Sequence, residues 1–347
     1  MIHRRKTRQI KVGGVRIGGG APISIQSMTK VATSDVRAVV AQIKELEAAG
    51  CEIVRVAIKD LDDAKAVKSI KKKIKIPLVC DIHFNYKLAL EAIKNGADKI
   101  RLNPGNIKRR EEIREVIRAA KRVRVPIRIG VNSGSVFTQN APRTTHNELV
   151  NSALQYIKLF EELNFRDIIV SLKASDVAAT VEAYRKMSEL CDYPLHLGVT
   201  AAGPYDSGVV KSSIGIGALL LDGIGDTVRV SLTADPIEEV IAAKRILSAV
   251  GLRRFGPEII ACPTCGRCQV DLGAIVRQLE QRVKGQGSRV KDVKIAVMGC
   301  EVNGPGEARE ADIGVAFGKD SGMLFKKGKV LKKVSAQNAV NELLKII

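Results

Sequence analysis

Two short thiol-bearing segments near the end of this 347-residue chain carry its most distinctive chemistry. Cys262-Pro263-Thr264-Cys265 is followed, after a helix-length gap, by Gly299-Cys300-Glu301-Val302-Asn303-Gly304-Pro305-Gly306-Glu307. Thiolate sulfur suits iron–sulfur clusters and zinc, but a closed structural zinc site would want a second tidy Cys or His pair, which the Cys300 segment does not supply. The pattern therefore reads as an iron–sulfur site in which Cys262, Cys265 and Cys300 leave one iron open to an exchangeable oxygen. Glycine-rich Asn303 to Gly306 would let the backbone turn tightly and bring Glu307 towards such a site. By spacing alone Glu307 is either a ligand or a surface charge beside Arg309. Cys268 reads as a spare thiol. Cys51, Cys80 and Cys191 sit in or beside apolar segments, where free cysteine behaves as a small buried hydrophobe.

A second constellation is basic. Arg55, Arg101, Arg128, Lys173 and Arg229 interrupt otherwise apolar, β-branched runs, and near them stand Asp81 with His83, Asn103, Asn132, His196 and Ser231. Arginine inside an apolar strand is expensive to bury, so a ring of such cations without matching acids argues for an anionic ligand, phosphate or diphosphate. Singly, each cation reads equally as a salt-bridge partner. Asp81 divides between structural capping and acid/base work, and His83 and His196 read as satisfied core or loop histidines.

The elements that must position these residues alternate. Strand-like runs at 23–27, 52–58, 78–82, 99–103, 127–132, 168–173, 195–200 and 227–233 are separated by helical spacing at 35–49, 61–73, 86–95, 110–122, 147–163, 174–190, 211–221 and 236–250. Eight such units predict an N-terminal (β/α)8 TIM barrel over residues 1–254, whose strand ends converge on one mouth. An open doubly wound sheet is the other reading. After about residue 255 the pattern changes to a smaller α+β domain, 255–347, with strands before Cys262, before Cys300 and near 313–317, a helix over 271–283, a turn through 285–288 and a last helix over 336–346.

Composition bounds the rest. Seven cysteines, no secretory signal pattern and no apolar run of membrane length predict a reduced, cytoplasmic enzyme without a membrane anchor. The net charge of +20 would attract polyanions, yet aromatics make up only 3% and no nucleic-acid-binding motif is present. Tracts such as Lys71-Lys72-Lys73 and Lys326-Lys327 read as solvated surface, and the basicity would also help to recruit acidic electron carriers.

Thr7-Arg8-Gln9-Ile10, Gln26-Ser27-Met28-Thr29, Asp81-Ile82-His83-Phe84, Arg101-Leu102-Asn103-Pro104-Gly105-Asn106, the segment from Arg128 to Ser135, the stretches Lys211-Ser212-Ser213 and Arg229 to Thr233, and both Cys motifs belong together. In that combination the chain resembles, over nearly its whole length, the bacterial 4-hydroxy-3-methylbut-2-en-1-yl diphosphate synthases, iron–sulfur enzymes of the methylerythritol phosphate route to isoprenoids. The resemblance implies a TIM barrel followed by a cluster domain. It also implies a homodimer in which one subunit's cluster domain closes over the partner's barrel mouth, and a [4Fe–4S] cluster on Cys262, Cys265, Cys300 and Glu307. The implied reaction is reductive ring opening of 2-C-methyl-D-erythritol 2,4-cyclodiphosphate with loss of water, the electrons coming from flavodoxin or ferredoxin. Substrate contacts map onto Arg55, Arg101, Arg128, Asn132, Lys173, Arg229 and Ser231, and catalytic roles onto Asp81 and Glu307.

One position departs from that pattern. Where the family reads Thr-Glu-Ala-Gly, this chain has Thr200-Ala201-Ala202-Gly203, so a carboxylate is missing. Either another group such as Asp81 or a water handles the proton, or turnover is impaired. Two other classes share some features: a hydro-lyase with an open-iron cluster, which would consume no electrons, and a nucleic-acid-binding protein with a closed metal site and salt-sensitive binding.

Overall fold

The computed structural model describes residues 2–135, 145–284, 293–300, 306, 308–319 and 321–347. Contacts divide the chain into two compact units, Met1–Arg253 and Arg254–Ile347.

In the first unit, β1 (Ile10–Val12) and β2 (Val15–Ile17) form a hairpin around Gly13 at φ +53°. Its apolar side chains Ile10, Val12 and Ile17 pack on Ile53, Val79 and Ile169. Those three lie at the starts of barrel strands, so the hairpin plugs the N-terminal end. The strands are β3 (Ser24–Met28), β4 (Ile53–Ile58), β5 (Leu78–Ile82), β6 (Lys99–Leu102), β7 (Ile127–Asn132), β8 (Ile168–Lys173), β9 (His196–Leu197) and β10 (Thr227–Val228). They form one parallel sheet in the order β8-β7-β6-β5-β4-β3-β10-β9, closed by a parallel bridge between Val170 and Leu195. This is the eight-stranded barrel that the alternation predicts.

Around it lie α1 (Val36–Ala48), α2 (Leu61–Lys71), α3 (Tyr86–Lys94), α4 (Arg110–Val123), α5 (His146–Glu162), α6 (Val177–Leu190), α7 (Tyr205–Leu221) and α8 (Pro236–Ala249). Their starts are chemically marked. The side chains of Asp35, Asp60, Asn85, Thr145, Asp176 and Asp235 each accept a first-turn N–H, and Thr145 with Glu148 completes a capping box.

Two strands and one helix differ from the sequence reading. The runs 195–200 and 227–233 yield only two ladder residues each, because beyond Leu197 and Val228 the chain opens into loops tied by single bonds such as Arg229 N–H to Leu197 C=O, 3.0 Å. Helix α7 starts at Tyr205 rather than Lys211, after a Pro204 cap. Its glycines hide it from a periodicity argument while permitting close packing: a Cβ at Gly208 would stand 2.6 Å from Leu232, and one at Gly215 2.8 Å from Val199.

The second unit is a five-stranded mixed sheet. Strands β11 (Glu258–Ala261), β12 (Lys294–Met298) and β13 (Ile313–Phe317) are parallel, and β14 (Gly322–Lys326) and β15 (Lys329–Val334) continue antiparallel. Helices α9 (Leu272–Lys284) and α10 (Ala339–Ile346) join it, with Leu272, Leu279 and Leu343 meeting Ile295, Val315 and Phe317 in one core. The β14–β15 hairpin was hidden in the sequence: five of the six β15 residues are exposed, so no apolar alternation marks it. The turn expected through 285–288 lies outside the described residues. Among the described residues no helix is long and apolar enough to cross a membrane.

Candidate active site

Parallel register sets Arg101 between Asp81 and Arg128, while Arg55 and Lys173 stand at other register positions. Arg55 is opposite Val79, Asp81 opposite Arg101, Arg101 opposite Arg128, and Asn132 opposite Lys173. All of Arg55, Arg101, Arg128, Asn132, Lys173, Arg229 and Ser231 line one cavity of ≈ 250 Å³, together with Asp81 and His83. Its wall also includes Met28, Ser171, Val199 and Thr200. Glycine makes room for the long side chains. A Cβ at Gly130 would lie 2.4 Å from Arg101 Nε, and one at Gly198 would lie 2.6 Å from Lys173 Nζ.

The cations are not all without acids, which corrects the sequence reading. Asp81 Oδ1 accepts from Arg101 Nη1 at 3.0 Å, and Oδ2 stands 3.7 Å from Arg55 Nε and 3.9 Å from His83 Nε2. On the other side Glu239, buried on α8, accepts from Arg229 Nε at 3.2 Å and Nη2 at 3.1 Å, while Arg229 Nη1 donates to Ser231 Oγ at 2.8 Å. Glu239 also accepts from Ser27 Oγ and the Leu232 N–H. Its signal in the sequence was a charge on the apolar face of α8, at helical spacing with Pro236, Ala242, Ala243 and Ile246.

Arg128 and Lys173 have no carboxylate partner among the described residues, and Arg128 Nε and Nη1 are buried without a hydrogen-bond acceptor. Beneath them Lys99, fully buried, reaches Gln26 Oε1 at 3.5 Å. Lys99 was missed as a site residue although it breaks the apolar start of β6. Burial, and after it the charges of neighbouring cations, pushes Lys99, Arg128 and Lys173 far below their ordinary pKa values. Arg55 is lowered to about 10, again chiefly by burial. Burial pushes the Asp81 carboxyl up, but Arg101, Arg55 and Arg128 outweigh it and hold the group at about 2. His196 is fully buried and neither ring nitrogen has a partner among the described residues, so it is not the satisfied core histidine expected. Its pKa is driven far down by burial and by Lys173, Arg128 and Lys99.

What the mouth can do follows from this balance. Five cations face two carboxylates, and buried N–H groups are left over. A multiply charged anion would satisfy both deficits at once.

Ala201 follows Thr200 at the rim, exposed, in the left-handed region at φ +48°. That conformation disfavours any residue with a Cβ.

In the second unit, the parallel pairing of β11 with β12 puts Cys262 and the Gly299–Cys300 pair at the same edge. The Gly299 N–H donates to Cys262 Sγ at 3.2 Å. A Cβ at Gly299 would lie 3.3 Å from that sulfur and 2.6 Å from Cys268 Sγ, so glycine is required there. Thr264, in the left-handed region at φ +64°, turns the chain between Cys262 and an exposed Cys265. Cys268 Sγ, like Cys262 Sγ, stands beside Gly299, and its S–H donates to Val270 C=O at 3.3 Å. Soft sulfur donors on two adjacent strand ends fit an iron–sulfur group. Among the described residues no three potential ligands are already gathered for a metal, and Glu307 lies outside the described residues. Cys51 and Cys80 are buried, as expected of packing thiols, and Cys191 is half-buried.

Comparison with known proteins places this geometry. Residues 7–244 match the GcpE TIM-barrel domain and residues 258–347 the GcpE protein C-terminal domain. A relative in Thermodesulfovibrio yellowstonii, a 4-hydroxy-3-methylbut-2-en-1-yl diphosphate synthase (flavodoxin), is 57% identical, covering 100% of this chain and 99% of its own. One of the same description in Clostridium perfringens is 53% identical with the same coverage. Among solved structures, dihydropteroate synthase from Stenotrophomonas maltophilia superposes with a TM-score of 0.54 at 15% identity, over 71% of this chain and 100% of that one. At that identity the likeness speaks for the barrel fold alone.

Proposed function

Since the chain belongs to the GcpE family, the 4-hydroxy-3-methylbut-2-en-1-yl diphosphate synthases, we propose that its barrel mouth holds 2-C-methyl-D-erythritol 2,4-cyclodiphosphate while electrons from flavodoxin open the ring. Its activity is that of the family, an oxidoreductase step of isoprenoid biosynthesis. The observation that carries the substrate reading is the cavity with five cations and buried, unpartnered Arg128 N–H groups.

In this reading Arg128 and Lys173, which lack acids, take the diphosphate charge directly. Arg101 and Arg229 are held in place by Asp81 and Glu239 and present their remaining edges. Such fixed donors lose little freedom on binding, which favours orientation of the reacting carbons. Asp81, ionised down to about 2, serves in this reading as a positioning carboxylate, the other of the two roles the sequence left open.

A [4Fe–4S] cluster on Cys262, Cys265, Cys300 and Glu307 would supply single-electron transfer and an iron able to take a substrate oxygen. Support for those ligands is the shared edge of Cys262 and Cys300 and the room that Gly299 leaves. The finer reading includes a homodimer. The exposed apolar residues Val210, Ile214 and Leu221 along α7 offer surface for one.

The test is anaerobic reconstitution, iron and sulfide analysis, and incubation with the cyclic diphosphate and reduced flavodoxin. Product that retains its diphosphate, formed only with reductant, is expected. Turnover without reductant would favour a hydro-lyase instead.

A further inference from the structure

The geometry points to His83 as the group that delivers the proton during water loss in this chain, which lacks a carboxylate at Ala201. The inference rests on the mouth being the site of the ring opening proposed above.

The reaction needs one proton. The C3–O bond of the substrate breaks and its oxygen leaves with the bonding pair as hydroxide. The C2–O bond breaks likewise, its phosphate oxygen keeping the pair. Two electrons from reduced flavodoxin form the C2=C3 bond, so a dianion, two electrons and one proton become a trianion and water. A proton on the departing oxygen turns a poor leaving group into a good one.

The cavity offers few donors. The ionisable groups facing it besides His83 are Arg55, Asp81, Arg101, Arg128, Lys173 and Arg229. Asp81 carries no proton near neutral pH, its oxygens being engaged by Arg101 and set opposite Arg55. The guanidinium groups hold protons too firmly to serve. Lys173 would have to surrender the charge that offsets the diphosphate as negative charge builds on it. The Ser231 hydroxyl, which accepts from Arg229, is too weak an acid to protonate the leaving oxygen without a strong base to take up its own proton. His83 alone combines the remaining requirements. Its ring lines the cavity, Nε2 stands 3.9 Å from an ionised carboxylate that can orient it, and its side chain is 45% exposed, so the proton can be replaced from solvent. An imidazole can carry a proton on either ring nitrogen and pass it on, as this cycle requires.

The experiment uses the cluster-loaded full chain with the cyclic diphosphate and reduced flavodoxin, comparing the parent with His83→Gln, His83→Ala, Ala201→Glu and the double variant His83→Gln/Ala201→Glu. His83→Gln is expected to lower kcat by about 10²- to 10⁴-fold, with substrate affinity by calorimetry and iron content unchanged, which also certifies its fold. Added imidazole should restore part of the His83→Ala loss. The double variant should recover much of kcat, with the fall in rate on raising pH displaced to lower pH by the carboxyl group. Ala201→Glu alone should change kcat by no more than about threefold, because a donor is already present.

His83→Gln with parental kcat would overturn the proposal. So would a loss that neither imidazole nor Ala201→Glu repairs, or a gain of about 10²-fold from Ala201→Glu alone. A parent that binds no cyclic diphosphate and forms no product would sink the functional reading itself, and this inference with it. That outcome is distinguishable because it appears before any variant is compared.

Discussion

The barrel mouth and the thiol edge are both placed at the ends of parallel strands, yet they are built to different degrees. At the mouth, register sets Asp81 against Arg101 and Asn132 against Lys173, and Arg101 and Arg229 are held by Asp81 and by Glu239 of α8. At the thiol edge the Gly299 N–H of the neighbouring segment donates to Cys262 Sγ, while Cys265 is exposed. A site for a soluble anion has to exist before its ligand arrives, because its specificity is the arrangement of donors. A site for a resident cluster can be completed by the cluster, whose binding energy gathers the loops.

The sharpest way to break this contrast is at the thiols. Cys262→Ser, Cys265→Ser and Cys300→Ser are each expected to abolish iron incorporation while leaving cyclic diphosphate binding intact, and Cys268→Ser to retain most of the iron. Iron content and visible absorbance across the four variants decide it. Loss of iron in Cys268→Ser with retention in Cys265→Ser would move the ligand assignment.

At the mouth the two kinds of charge should respond with opposite sign. Asp81→Asn leaves Arg101 and Arg55 without their acid and should destabilise the protein by about 3–5 kcal/mol at neutral pH, read by chemical denaturation. The Asp81 carboxyl is held at about 2, below its ordinary 3.8, so its contribution is complete above 3.8 and fades as pH falls through about 2. The gap between parent and variant should narrow over that window, by about 2.5 kcal/mol.

Arg128→Met removes a buried cation that has no acid. Substrate affinity should fall by about 2–5 kcal/mol, whereas the substrate-free protein should gain stability of about 1 kcal/mol or more. A variant less stable than its parent would mean that Arg128 is matched by something other than the ligand.

The smallest effect concerns pH. Lys173 is depressed by burial and by the charges of Arg128, Arg55 and Arg229, and an anion restores its charge, so binding should take up a proton and weaken as pH rises. The change is at most about tenfold per pH unit for each proton linked. Calorimetry in buffers of different ionisation enthalpy measures the uptake directly.

Much of the barrel was legible because its strands are buried on both faces and its helices carry Asp, Asn or Thr caps. Strands β5, β7 and β8 coincide with the runs seen in the sequence. The cations of the mouth were legible as interruptions of those runs. What stayed hidden depends on distant partners: Glu239 comes from a helix, and Lys99 sits one step below the level of Arg101 and is buried with Gln26. The exposed strand β15 and the glycine-rich start of α7 lacked periodicity altogether. Ala201 was visible as a departure, but its left-handed backbone was not.

The most direct test of the central claim is an electron count. The protein is reconstituted anaerobically with iron and sulfide and mixed with a limiting amount of the cyclic diphosphate, and the reduced flavodoxin consumed is measured against product formed. Two electrons per product, with no consumption when Arg128→Met is used below its weakened Kd, are expected. Product without electron consumption, or consumption indifferent to the cyclic diphosphate, would contradict the account.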